Sequence, residues 1–309
     1  MIDLSIVVVN WNVRDLLRRC LHSVLDARCS MLVEVIVVDN ASTDGSAEMV
    51  QAEFPGVHLV ANDENRGFPA ANNQGLAVAQ GRYIFLLNPD TEVLGDGLAT
   101  MVAFADTHPD VGMLGPQLLN PDGSVQSSRR RFPTLATAFF ESTWLQPYAP
   151  HRVLERYYVE DRPDDIVQEV DWVYGAAMMA RREAIEQVGP MDEGFFMYSE
   201  ELDWCRRFRG AGWRVVYLPT AQVVHHEGKS SEQIVAARHI HFQTSKVRYF
   251  RKHHGRVAGG VLRWFLLGNY VWQLGLEGAK WLLGHKRPLR ARRIAAYRQV
   301  LQSGLRSEE

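Results

Sequence analysis

Cysteine is scarce: Cys20, Cys29 and Cys205 are the only three in 309 residues. Their wide, irregular spacing excludes a disulfide framework and a zinc-ligand pattern, and it points to a reducing, cytoplasmic setting. Long apolar runs are also missing. The longest uncharged stretch in the tail, "WFLLGNYVWQLGL" (264–276), falls between Arg263 and Glu277. That is 13 residues, whereas a membrane-spanning helix needs about 20. The apolar start, Leu4–Val9, has no basic leader and no cleavage site, so no signal peptide is expected. No Gly-x-Gly-x-x-Gly follows it, which disfavours a dehydrogenase. There is no internal repeat and no low-complexity segment.

The net charge of −2 implies no partner, but its distribution does. The stretch from Arg238 onward holds 15 of the 34 Lys and Arg and only 3 of the 36 Asp and Glu. An acidic body carries a basic tail, an asymmetry that suits an anionic surface, either membrane or nucleic acid. The length fits one large or two ordinary domains, and a hydrophobic content of 46% supports a sizeable core.

The first 90 residues alternate in type. "LSIVVV" (4–9) and "VEVIVVD" (33–39) read as buried strands, and "VHLVA" (57–61) and "RYIFLL" (82–87) as a third and a fourth strand. Helical spacing separates them over 14–28, 44–54 and 68–79. This rhythm predicts an α/β fold with a parallel sheet covered on both faces. Ligands of such sheets gather at the carboxyl ends of the strands. Those ends carry Asn10-Trp11-Asn12, Asp39-Asn40 and Asn88-Pro89-Asp90. Beyond residue 96 a helix (96–107) precedes "VGMLGPQLL" (111–119). Residues 147–170, rich in charge and proline, read as a mobile loop. Residues 170–185 read as a strand passing into a helix, 199–212 as a helix stopped by glycine, 213–218 and 221–226 as short strands, and 234–309 as mostly helical.

Leu-Leu-Asn-Pro-Asp occurs twice, at 86–90 and at 118–122. The second copy continues with Gly123 between extended runs and reads as a tight turn. The first copy ends a central strand among other polar strand ends, which places a ligand or metal role on Asp90.

Together these blocks resemble the inverting family 2 glycosyltransferases, in particular their rhamnosyltransferase-like branch. The resemblance is carried by "SIVVVNWN" (5–12), "VIVVDNASTDGS" (35–46), "NRGFPAANNQG" (65–75), "FLLNPDT" (85–91), "NPDGSVQSSRRRFPT" (120–134), "GAAMMARREA" (175–184), "GPMDEGFFMYSEELDWCRR" (189–207) and "VVHHEGKSS" (223–231). It implies the GT-A fold over residues 1–233, with a nucleotide-sugar-binding half (1–95) and an acceptor-binding half (96–233). A helical basic and aromatic extension follows over 234–309.

The resemblance also implies roles. Nucleotide contacts fall on Asn10, Asn12, Asp39, Asn65, Arg66, Gly67 and Asn88. For Asp39 an Asx-turn is the competing reading, and for Arg66 an exposed loop arginine. Asp90 would hold a divalent cation, Mn2+ or Mg2+, with His225 as a further ligand chosen over His226 by its spacing to Gly228 and Ser230. Relatives mostly show Asp-x-Asp where this chain has Asn88-Pro89-Asp90, one carboxylate fewer. Glu201 maps to the general base and Glu200 is held in reserve. A Ser199 cap and the positive helix end would favour ionised carboxylates there. Arg129, Arg130 and Arg131 are either a solvated run or clamps for an acceptor or diphosphate. Trp172 either stacks on a sugar or belongs to the core.

The implied reaction is a single inverting displacement without a covalent intermediate. The donor is a nucleoside-diphosphate sugar, dTDP-rhamnose or a UDP-sugar. The acceptor is a saccharide or a polyprenyl-diphosphate-linked one, at the inner face of the cell membrane. The tail fits either a membrane surface, through Trp264, Tyr270, Trp272 and Trp281, or a packed cap or homodimer interface. The competing function is a non-catalytic nucleotide- or nucleic-acid-binding protein that uses the basic tail. The acidic body opposes it, and no nucleic acid partner is expected.

Overall fold

The computed structural model describes residues 2–27, 31–226 and 235–306. Cys29 and residues 227–234, including the Gly228 and Ser230 that index His225, lie outside them. In chain order the elements are β1 (Leu4–Asn10), α1 (Arg14–Leu25), β2 (Val33–Asp39), α2 (Ser46–Glu53), β3 (His58–Ala61), α3 (Phe68–Val78), β4 (Tyr83–Leu87), β5 (Thr91–Val93), α4 (Gly97–Thr107), β6 (Val111–Leu119), β7 (Val125–Gln126) and β8 (Arg129–Arg130). They continue as α5 (Leu135–Phe140), α6 (His151–Tyr158), β9 (Gln168–Glu169), β10 (Trp172–Val173), β11 (Ala177–Arg181), α7 (Arg182–Val188), α8 (Glu200–Gly210), β12 (Arg214–His225), α9 (Val235–Leu282) and α10 (Arg287–Ser303).

The chain forms two compact units. The first comprises the described parts of Met1–Phe132, Tyr158–Glu193 and Glu200–Ser230. Its main sheet runs β3-β2-β1-β4-β11-β6-β12-β5. The β3-β2-β1-β4 half is parallel throughout. β11 then enters antiparallel between β4 and β6, and β12 runs parallel to β6. β8 and β10 form a separate two-stranded ribbon.

Burial on both faces explains why β1 is a near-continuous apolar run rather than an alternating one. Ile6 and Val8 join the core that contains Leu17 and Leu21 of α1, Val50 of α2 and Met101 of α4. Val7, pointing the other way, meets α3 at Gly75, where an added Cβ would stand 2.3 Å from a Val7 methyl. Glycine is therefore required mid-helix at this position, despite its poor helix propensity.

Three expectations are corrected. Residues 147–170 are not an unstructured loop, because they contain a short 3-10 turn (Gln146–Tyr148), α6 and β9. α6 carries Val153, Leu154, Tyr157 and Tyr158 on one side, all half-buried, but this two-turn stripe is short and set among charge and proline. The two strands expected over 213–226 are one, β12, whose register with β6 shifts between Leu218 and Gln222. Pro219 lies in that interval and has no N–H for a ladder bond. The segment expected to run as one strand from residue 170 is broken between β10 and β11 at Tyr174-Gly175-Ala176.

The second unit comprises Pro133–Tyr157, Gly194–Ser199 and the described part of Ser231–Glu309. α9 breaks at Gly255, which takes φ 91° and ψ 164°. Leu262, Leu266 and Tyr270 of α9 are buried together with Tyr297 and Val300 of α10. Arg290 closes the helix pair on Glu277 at 2.8 and 3.0 Å. The 194–199 segment grips the first part of α9: Phe196 stacks on His241, and Ser245 donates to the Met197 carbonyl at 2.8 Å. Among the described residues no helix is long and apolar enough to cross a membrane.

Gly75→Ala tests the packing of α3 on β1. The added methyl overpacks against Val7, at a cost of about 1–3 kcal/mol, which outweighs the gain of about 1 kcal/mol in helix propensity. A lowered urea midpoint with an unchanged m-value is the expected result.

Candidate active site

Every candidate site residue lies in the first unit. Parallel register brings the carboxyl ends of β1 and β2 level, with Asn10 opposite Asp39. Asn10 Nδ2 donates to Asp39 Oδ1 at 2.8 Å and to Ser42 Oγ at 3.0 Å. Asp39 Oδ2 accepts the Ser42 N–H at 2.9 Å, a local loop-closing bond one residue longer than an Asx-turn. Asn12, at φ 54°, accepts the Thr43 N–H at 2.7 Å. Asn40 then ties the next loop: its amide nitrogen donates to Asn65 at 2.8 Å, and its carbonyl accepts the Arg66 N–H at 3.0 Å. Gly67 takes φ 84° at the start of α3 and donates its N–H to Asn65 Oδ1 at 3.0 Å. Asn65 and Arg66 are exposed. Asn10 Oδ1 and Asn88 Oδ1 are buried acceptors without a hydrogen-bond partner among the described residues. Such atoms at the ends of the adjacent strands β1 and β4 offer themselves to a ligand's N–H or O–H groups.

The first Asn-Pro-Asp turns the chain from β4 into β5, and β5 pairs with the end of β12 so that His225 faces Thr91. That register brings His225 Nε2 to 3.4 Å from Asp90 Oδ1, with both side chains buried. His226, on the alternate side, meets Glu92 at 2.7 Å instead. The second Asn-Pro-Asp-Gly closes the β6–β7 hairpin, with the Gly123 N–H on the Asn120 carbonyl at 2.9 Å and φ 83° at Gly123. This turn delivers Gln126, whose Oε1 lies 2.7 Å from His225 Nδ1. Both copies of the motif therefore converge on one histidine.

The break between β10 and β11 collects the remaining parts. Tyr174 lies 6.0 Å from the His225 ring, centroid to centroid. A Cβ on Gly175 would stand 3.4 Å from the Glu201 side chain. The Ala176 carbonyl accepts the Asn88 N–H at 2.8 Å. Three consecutive residues thus touch His225, Glu201 and the segment that carries Asp90.

Glu200 and Glu201 are both buried in the first turn of α8. Burial, and then the adjacent Glu201 charge, push the Glu200 carboxyl well above its usual range. Desolvation here overrides the helix dipole, which by itself would favour ionisation. Ser199 takes φ 66°, not the extended geometry of a capping serine, so the expected cap does not have that form. Asp203 is fully buried and pairs with Arg207 at 3.0 Å. Burial also raises the thiols of Cys20 and Cys205 to about 12, which leaves neither a thiolate nucleophile at neutral pH.

Arg129 and Arg130 are not a solvated run. They are buried on β8, paired with Trp172 and Val173 of β10. The Arg129 guanidinium donates to the carbonyls of Pro163 and Arg162. Arg130 donates to Ser127 Oγ at 2.8 Å and covers the Tyr158 ring. Arg131 pairs with Asp161 at 2.9 Å. Trp172 is buried, and its indole N–H reaches the Arg131 carbonyl at 3.1 Å. These four residues brace the 158–172 segment.

Sequence reasoning missed Gln126, Asn40, Ser42 and Gly175. Asn40 and Ser42 stand in the "VVDNASTDGS" block, and the polarity of a strand end was a usable signal. Gln126 had none, because only the hairpin and the β6–β12 pairing bring it to His225.

Residues 5–189 match the model of glycosyl transferase family 2, and the chain belongs to that family. Its relatives place it in the rhamnosyltransferase-like branch. It is 30% identical over 277 residues to the N-acetylglucosaminyl-diphospho-decaprenol L-rhamnosyltransferase of Mycobacterium tuberculosis, covering 86% of this chain and 90% of that one. It is 28% identical over 182 residues to the rhamnosyltransferase WbbL of Escherichia coli K12, covering 52% of this chain and 61% of that one. In three dimensions it is similar to the mannosyltransferase PcManGT of Pyrobaculum calidifontis, solved with GDP-Man and Mn2+. The TM-score is 0.57 at 18% identity, over 99% of this chain and 88% of that one. It is also similar to GalNAc-T7, solved with UDP, GalNAc and Mn2+, with a TM-score of 0.57 at 15% identity over 81% of this chain and half of that one. The fold is GT-A, and the protein is a glycosyltransferase.

Because the folded-state pKa of Glu200 is raised, its contribution to stability is complete below the unfolded value of 4.5 and is lost as pH rises above it. Glu200→Gln removes this loss. The variant should therefore melt above the wild type at pH 7.5, with the gap closing as the pH is lowered towards 4.5. Thermal melts across that range check it.

Proposed function

We propose that the protein transfers a sugar from a nucleoside-diphosphate donor, dTDP-rhamnose or a UDP-sugar, to a saccharide or polyprenyl-diphosphate-linked acceptor in cell-surface polysaccharide synthesis. The observation that carries this reading is the 174–176 segment, in contact with His225, Glu201 and the Asn88–Asp90 turn. The M. tuberculosis relative, whose name specifies a decaprenol-diphosphate-linked acceptor, supports the acceptor class.

Asp90 and His225 would hold a divalent cation, Mn2+ or Mg2+. Their buried carboxylate and imidazole nitrogen suit such an ion. Among the described residues no cluster of three or more His, Cys, Asp or Glu surrounds them, a two-ligand set that leaves room for diphosphate oxygens. When bound, the cation neutralises the charge of the departing nucleoside diphosphate. The buried acceptors on Asn10 and Asn88, with Asp39, Asn12 and the Asn65–Gly67 loop, would bind and orient the nucleotide. Glu201 would accept the proton of the attacking acceptor hydroxyl. Glu200, whose carboxyl burial and the neighbouring Glu201 charge push above its usual range, is the less suited of the two to the base role. Residues 1–95 would form the nucleotide-sugar half and 96–233 the acceptor half.

Glu201→Gln should leave donor binding unchanged and lower transfer by about 10²–10⁴-fold. Product formation from radiolabelled donor and donor protection against heating measure the two separately. If Glu200→Gln is the inactive variant and Glu201→Gln is not, the base assignment fails.

The second unit would meet the membrane surface at the cytoplasmic face. Val257, Val261, Trp264, Val271 and Trp272 recur at helical spacing on the exposed side of α9, and Leu282 and Leu283 follow. Trp264 is 68% and Trp272 53% exposed, whereas Tyr270, which the sequence grouped with them, is 2% exposed and belongs to the interior. The surrounding excess of Lys and Arg selects anionic lipid. Trp264→Ser with Trp272→Ser should weaken sedimentation with phosphatidylglycerol vesicles by roughly tenfold. Unchanged sedimentation would exclude this face as the contact.

A further inference from the structure

The hairpin closed by the second Asn-Pro-Asp-Gly has a polar side-chain chain whose direction can be assigned from its outer end. A carboxylate only accepts, and Asp122 Oδ1 receives both the Ser124 hydroxyl at 2.6 Å and the Ser124 N–H at 3.0 Å. The Ser124 oxygen is then left to accept, and it does so from Asn120 Nδ2 at 3.0 Å. This orients the Asn120 carbonyl oxygen towards Gln126, which donates to it through Nε2 at 3.3 Å. The Gln126 amide is thereby oriented as well, with its carbonyl oxygen 2.7 Å from His225 Nδ1. A carbonyl cannot donate, so Nδ1 carries the hydrogen, and in a neutral imidazole Nε2 is the bare nitrogen. Nε2 faces Asp90 Oδ1 at 3.4 Å, longer than the 2.7–3.2 Å typical of an N–H···O bond. Two electron-pair donors face each other there, the arrangement that a cation between them would relieve.

We propose that the 120–126 hairpin holds His225 as its Nδ1–H tautomer, so that Nε2 is presented to a divalent cation shared with Asp90, and that Gln126 is the positioning residue. This rests on the reading of Asp90 and His225 as cation ligands. It also gives the second Leu-Leu-Asn-Pro-Asp a purpose beyond the turn. Asn120 and Asp122 orient the network, Gly123 reverses the chain with φ 83°, and β7 carries Gln126 to its target. Replacing the glutamine leaves the imidazole in place, because β12 remains paired with β5 and β6, but removes the group that selects its tautomer.

The test uses the full chain, labelled with 15N at histidine. Long-range proton–nitrogen correlation at pH 8 without metal reads the ring nitrogens, and His225→Gln assigns the signal. A protonated Nδ1 and a bare Nε2 are expected. A ring protonated at Nε2, or at both nitrogens, overturns the proposal. Mn2+ binding is then followed by electron paramagnetic resonance, with Mn2+ alone and with dTDP or UDP. Gln126→Leu should weaken Mn2+ binding by about 10–100-fold at an unchanged melting temperature. Gln126→Glu, which keeps an acceptor towards Nδ1, should bind like the wild type. Equal affinity in wild type and Gln126→Leu overturns the positioning role. Failure of the wild type itself to bind Mn2+, with Asp90→Ala no different, overturns the cation reading, while the nitrogen signals still decide the tautomer.

Discussion

The arrangement of the site depends on one antiparallel register, His225 opposite Thr91. Strand side chains alternate between faces, so a slip of one residue would replace His225 with His226 or Val224 beside Asp90. The register is maintained from both directions. The His226 N–H donates to the Asp90 carbonyl at 2.9 Å, and the parallel pairing of β12 with β6 fixes the other edge. The irregularity at Leu218–Gln222 lies upstream, so the last residues of β12 pair regularly with both neighbours.

From that register the other parts follow by direct contact. β6 carries the hairpin that orients the His225 ring. β11 enters between β4 and β6, and the residues leading into it, 174–176, close on Glu201, on His225 and on the turn after β4. A Cβ at position 175 would lie in ordinary contact with the Glu201 side chain, which shows how near this backbone passes to it. Burial, with the adjacent Glu201 charge as a further cause, pushes the Glu200 carboxyl above its usual range. Within the proposed mechanism, that shift leaves the base role to Glu201.

Much of this was legible in the linear sequence, for reasons that can be named. β1, β2 and β4 are near-continuous apolar runs, since both faces are covered, and their polar terminal residues mark the ligand edge. The blocks around Asp39, Asn65–Gly67, Asn88–Asp90 and Glu200–Glu201 carried the family. What was not legible involved partners distant in sequence. Arg129 and Arg130 read as an exposed or anion-binding run, yet the Arg129 guanidinium braces the chain at residues 162–163 and that of Arg130 covers the Tyr158 ring. Tyr270 read as an interfacial aromatic, yet it packs with Tyr297 across the helix pair. α6 carries its apolar residues, Val153, Leu154, Tyr157 and Tyr158, over only two turns in a segment rich in charge and proline.

By itself the sequence determined the α/β rhythm, the strand ends that carry polar side chains and the family to which the chain belongs, since periodicity, turn chemistry and ordered motifs are local properties. Tertiary structure alone decided that Gln126 meets His225, that the Glu200 carboxyl is pushed above its usual range, and that both Leu-Leu-Asn-Pro-Asp copies reach the same imidazole. Those outcomes depend on strand register and desolvation, which arise only when segments as much as 135 positions apart, such as Asp90 and His225, are brought side by side.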